Sequence, residues 1–163
     1  MKTLLLMRHA KSSWKDTVLA DIDRPLNKRG KRDAPRMGRL IREEGLIPDI
    51  ILSSTALRAR MTAESVTDQC GYAGEIIYLD ELYAADPQTL LEALIRLPEE
   101  YSRVLMIAHN PGLEELVERL TGKYRPMPTA ALAYLMIPVQ LWQDLAEPVE
   151  AKTVFVWKPR ELD

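Results

Sequence analysis

One cysteine, seven glycines and two histidines are all that 163 residues contain of these types, and each shortage removes a class of protein. A single thiol, Cys70, cannot close an intrachain disulfide, so a stapled scaffold is excluded and a reducing, cytoplasmic setting is expected. The glycines are scattered, and no Gly-rich loop of the kind that cradles phosphates occurs. No apolar run approaches transmembrane length, and the one from Thr3 to Met7 is too short for a signal-peptide core. Neither sign of charge dominates: 22 Lys and Arg against 24 Asp and Glu leave a formal net charge of −2. That balance offers no general attraction to nucleic acid or to a membrane, and neither is expected as a partner. No set of His, Cys and acidic residues has zinc-site spacing, so no metal or other cofactor is expected. Linkers, repeats and low-complexity stretches are also lacking, and residues 1–163 read as one domain with a sizeable core.

What the chain does have is alternation. Apolar runs at Thr3–Arg8, Asp49–Leu52, Glu75–Leu79 and Arg103–Ala108 read as strands. Helical patterns span about Asn27–Glu44, Ala56–Gln69, Thr89–Leu97 and Leu113–Leu120. In the first of these Met37, Leu40 and Ile41 share a face, Gly45 is the stop, and Pro35 predicts a kink or restart. Ser54 or Thr55 is the expected cap of the second. Ala130–Ile137 and Thr153–Trp157 are read as two closing strands that pair antiparallel, with a short helix near Gln140–Leu145 between them. The expected fold is α/β, a three-layer α/β/α sandwich around a mostly parallel sheet.

Both histidines close apolar strands: His9 ends Leu4-Leu5-Leu6-Met7-Arg8-His9, and His109 ends Val104-Leu105-Met106-Ile107-Ala108-His109. Ligands in open α/β sheets bind outside the carboxyl ends of strands, so 100 residues of separation do not prevent the two rings from meeting. A neutral imidazole can attack phosphorus, and the neighbouring Arg8 guanidinium is a planar fork suited to phosphate oxygens. Arg58 stands in the first turn of the second helix, where a cation opposes the helix dipole unless an anion sits there. His109-Asn110-Pro111-Gly112 leads into a helix whose free amides can also face an anion. Lys11 and Ser12, on the loop after His9, are further candidate phosphate contacts.

Together these patches resemble the histidine phosphatase superfamily, the phosphoglycerate mutase-like fold, and within it the small SixA-type phosphohistidine phosphatases. Arg24-Pro25-Leu26 with Arg29-Gly30, Glu81-Leu82-Tyr83, Pro128-Thr129-Ala130-Ala131 and Lys158-Pro159-Arg160-Glu161-Leu162 extend the likeness over essentially the whole chain. The resemblance implies that His9 becomes phosphorylated, that Arg8, Arg58 and His109 complete a metal-independent phosphate pocket, and that Glu81 is the candidate general acid. It further implies a phosphorylated partner: a protein such as a histidine phosphotransfer domain, or a small phosphorylated molecule. Ala10 departs from a common family glycine, so a positive φ there would carry strain.

Other readings compete. Asp21-Ile22-Asp23 suggests an aspartyl-phosphate mechanism with Mg²⁺, although the apolar run before it is only Val18-Leu19-Ala20. A sugar-phosphate phosphatase of the same superfamily, or a non-catalytic phosphate-binding module, would share most of these residues.

Overall fold

The computed structural model describes residues 1–162. Six strands form one mixed sheet in the order β3-β2-β4-β1-β5-β6. They are β1 (Lys2–Arg8), β2 (Ile50–Ser54), β3 (Ile76–Leu79), β4 (Arg103–Ala108), β5 (Leu132–Ile137) and β6 (Lys152–Trp157). The four strands from β3 to β1 run parallel; β5 pairs antiparallel with β1, and β6 pairs antiparallel with β5. Four helices cover the faces: α1 (Lys28–Glu43), α2 (Leu57–Cys70), α3 (Pro87–Ile95) and α4 (Gly112–Thr121).

Strand alternation decides which residues face which helices. On β1, Leu4 and Leu6 join the core shared with α3, α4 and the buried Trp142, while Leu5 and Met7 join the core under α1 and α2. Because both faces are covered, the central stretches of β1 (residues 4–7) and β4 (residues 104–108) are continuously apolar rather than alternating. Gly38 brings α1 against α2, since a Cβ there would lie 2.8 Å from the Val66 carbonyl oxygen.

Four expectations change. Helix α1 runs unbroken through Pro35, because the packing of Ala34, Met37 and Ile41 against α2 outweighs one missing hydrogen bond. Helix α3 begins at Pro87, two residues before the predicted start, with Asp86 Oδ1 accepting the Thr89 amide at 2.8 Å. Helix α2 has Ala56 at its N-cap and no side-chain cap, because Ser54 is engaged elsewhere. The predicted short helix is a 3₁₀ turn at Trp142–Ala146.

Candidate active site

Strands β1, β2 and β4 end together at their carboxyl edge, and an open cavity of about 290 Å³ lies just beyond them. Arg8, His9, Lys11, Ser12, Arg58 and His109 all line it. The ring centroids of His9 and His109 are 5.0 Å apart, so the two strand-end histidines do meet. Parallel pairing causes this: Arg8 lies opposite Ala108, and each histidine is the next residue along its strand. Here the chain leaves strand geometry, which lets Arg8 and His9 serve the same space. The Ala130 amide holds the turn through the Arg8 and His9 carbonyls, both at 3.1 Å.

His9 is 7 % exposed. Its Nδ1 lies 2.8 Å from the Ala10 carbonyl oxygen, which can only accept, so Nδ1 carries the hydrogen and Nε2 keeps a free lone pair. Burial, reinforced by the charges of His109, Arg58 and Arg8, pushes the His9 pKa down to about 3. His109 is lowered to about 4, mainly by burial and then by Arg58. Its Nε2 is fixed 2.7 Å from Ser54 Oγ, the hydroxyl expected to cap α2. Both rings are therefore neutral near pH 7, as nucleophilic use of His9 requires.

Arg58 donates to the Asp21 carbonyl at 2.7 Å and to Asp21 Oδ2 at 3.0 Å. Asp21 also pairs with Arg24 at 3.0 Å and accepts from the Tyr83 hydroxyl. The Tyr83 hydrogen bond, with the two arginines, drives the Asp21 pKa down to about 2. Arg24 in turn donates to Ser12 Oγ at 2.8 Å. Beneath them Thr62 Oγ1 accepts the Ala10 amide at 3.0 Å and donates to the Arg58 carbonyl at 2.7 Å, tying the His9 loop to α2. Among the described residues the Nε groups of Arg8 and Arg58 are buried donors without a hydrogen-bond partner. The first turn of α1 presses on this loop, and a Cβ at Gly30 would lie 2.2 Å from the Lys11 carbonyl oxygen. Ala10 keeps an ordinary φ, so the alanine brings no strain; among the described residues the two non-glycine residues at positive φ are Ala84 and Ala130.

Glu81 is not part of the cavity. The 3₁₀ turn Asp80–Leu82 buries Leu82 and delivers Tyr83 to the site, leaving Glu81 on the surface 2.6 Å from Arg96. This corrects its assignment as the candidate acid. Asp21 does line the cavity, as an ionised arginine partner rather than as the nucleophile of the Mg²⁺ alternative. Sequence reasoning passed over Arg24, Tyr83, Trp14, Asn110 and Thr129 as cavity residues. Arg24, Tyr83 and Thr129 stood inside quoted family motifs, which was the available signal.

A mixed sheet with a histidine–arginine anion pocket at the carboxyl ends of its parallel strands defines a phosphoryl-transfer enzyme of the phosphoglycerate mutase-like fold. The histidine phosphatase superfamily (branch 1) model matches residues 4–86, and the chain belongs to that superfamily. An uncharacterised protein of Mycobacterium tuberculosis is 33 % identical over 94 % of this chain and 100 % of its own length. Among solved structures, a SixA-type protein of Nakamurella multipartitia assigned as a phosphohistidine phosphatase superposes with TM-score 0.86 at 28 % identity, covering 97 % of this chain and 96 % of that one. A mycobacterial glucosyl-3-phosphoglycerate phosphatase shares the fold, with TM-score 0.70 at 14 % identity, covering 96 % and 98 %.

The histidine pKa values give a pH prediction. The folded values of about 3 and about 4 lie below the ordinary 6.5, so the unfolded chain binds protons first as pH falls. The stability contributed by neutral His9 and His109 is complete above pH 6.5 and is lost progressively down to pH 4 and below. Nuclear magnetic resonance of the two ring C–H signals should show neither group titrating near pH 6.5, while Tm declines across that window. A ring titrating at 6.5 in the free protein would overturn the assignment.

Proposed function

We propose that the chain is a phosphatase that removes phosphoryl groups from protein phosphohistidine through a phosphorylated His9. The observation that carries the reading is that this cavity has a neutral nucleophile and several cations but no protonated carboxylic acid. Asp21 is ionised and held by two arginines, and Glu81 is bound to Arg96 outside the cavity. A site without a general acid suits a leaving group that needs no proton at the moment of departure.

Phosphohistidine is such a substrate. His9 Nε2 attacks phosphorus as the phosphorus–nitrogen bond of the substrate breaks. The electron pair goes to an imidazole already protonated on its other nitrogen, which departs neutral. Arg8 and Arg58, with His109 beside them, offset the charge on the phosphoryl oxygens. Water then attacks phosphorus as the phosphorus–Nε2 bond breaks; the electron pair returns to Nε2, both hydrogens of the water leave with phosphate, and Nδ1–H keeps its bond to the Ala10 carbonyl throughout. No step calls for a metal, since the guanidinium groups supply the positive charge.

The test compares kcat/KM, in EDTA, on a phosphorylated histidine phosphotransfer domain, a phosphoserine peptide and a panel of sugar phosphates. The phosphorylated domain should be the best substrate, with chelation leaving activity intact. A sugar phosphate that clearly wins would move the chain to the small-molecule side of the superfamily. Loss of activity on chelation, restored by Mg²⁺, would instead sink the metal-independent route.

A further inference from the structure

A second depression of about 470 Å³ lies beside the catalytic cavity, separated from it by one short ridge. Along that ridge Ser12 and Trp14 line the catalytic cavity while Ser13 and Lys15 line the other side. The far wall is the first turn of α1, with Lys28, Arg29 and Lys31, and Pro25 and Leu26 give it an apolar floor. Lys15, Lys28 and Lys31 are exposed and make no ion pair among the described residues. Arg29 shares the single carboxylate of Asp33 with Arg32 and Arg36.

Charge is segregated here. Residues 11–32 carry seven cations and three carboxylates, whereas the rest of the chain carries 15 cations and 21 carboxylates. The ridge also carries a large exposed apolar side chain: Trp14 is 68 % exposed. The Arg24 guanidinium stacks 3.5 Å from the Trp14 ring centroid, holding the indole at the mouth of the cavity. An aromatic anchor flanked by cations is the composition of a protein-recognition patch.

We infer that this depression docks an acidic protein segment next to the phosphorylated residue, with Trp14 as the apolar anchor between the two subsites. The inference rests on the reading that the phosphoryl donor is a protein, because any protein surface whose phosphorylated side chain enters the cavity must cover the ridge. An extended polyanion such as nucleic acid fits less well, since the excess of carboxylates elsewhere on the chain repels it beyond the patch.

The test is the full-length Lys15→Glu/Lys28→Glu/Lys31→Glu variant. Two of its new carboxylates fall in the first turn of α1, where negative charge favours the helix, so folding is preserved. On a phosphorylated, acidic histidine phosphotransfer domain, kcat/KM should fall by about tenfold or more, through KM, while hydrolysis of free phosphohistidine changes by less than about twofold. Added NaCl should weaken wild-type action on the domain, and should leave action of the charge-reversed variant unchanged or raise it by screening the new repulsion. Equal losses on both substrates, or no loss on either, overturns the docking surface. Calorimetric binding of the unphosphorylated domain separates the two readings. A wild-type protein that binds the domain but cannot dephosphorylate it sinks the catalytic reading and leaves the dock standing. Lysine-dependent binding of duplex DNA or phosphatidylserine vesicles, without binding of the domain, overturns the acidic-protein assignment.

Discussion

His9→Ala is expected to abolish turnover and to leave the fold intact. The ring makes one side-chain hydrogen bond, Nδ1 to the neighbouring Ala10 carbonyl, so its removal leaves no distant hydrogen-bond partner unpaired. The loop itself is secured by backbone bonds from His9 to Ala108 and from Ala130 to Arg8 and His9, which alanine preserves. What disappears is the imidazole whose Nδ1–H is held by the Ala10 carbonyl, so that its Nε2 keeps the lone pair; His109 instead has its Nε2 held by Ser54 Oγ. The measurement is an acid-sensitive quench during turnover of a labelled phosphodonor. Wild-type protein should carry an acid-labile, base-stable phosphate, and His9→Ala should carry none. Label persisting on the variant would place the nucleophile on another residue, with His109 the first to examine.

The parts of this site that were legible in the sequence are those fixed by local pattern. Residues 4–7 and 104–108 are continuous apolar runs because both faces of their strands are covered, and such runs are visible without a structure. Each strand is followed by a histidine, so their parallel neighbourhood brings the rings together. Arg58 was legible as a conflict between a cation and a helix start. The supporting contacts were not legible, because they depend on side chains that meet only after folding. Asp21 reaches Arg58 across 37 residues and Tyr83 across 62, and no spacing rule connects them. Glu81 and Tyr83 are two residues apart in one motif; which of them enters the cavity depends on the 3₁₀ turn that buries Leu82. Ser54 shows the same limit, since a hydroxyl well placed to cap a helix is used to orient His109.

Arg58→Ala should slow phosphoryl transfer by about 10² to 10³, the loss typical of removing one preorganised donor to developing charge. Arg58 is only 6 % exposed, and the two terminal nitrogens of its guanidinium are fixed on Asp21 at 2.7 and 3.0 Å. It therefore approaches a bound phosphoryl group already oriented, and little reorganisation accompanies the reaction. Arg58→Lys should recover only part of the rate, because an ammonium keeps the charge and loses the planar fork. Asp21 acts through this arginine as a positioning residue, so Asp21→Asn should cost less than Arg58→Ala. The double variant should then be no slower than Arg58→Ala alone, since the interaction that Asp21 supports is already gone. Single-turnover rates on a phosphohistidine donor, measured for all four members of the cycle, give the coupling directly. Independent losses that simply add would show that Asp21 works by another route, with its ion pair to Arg24 the next to test.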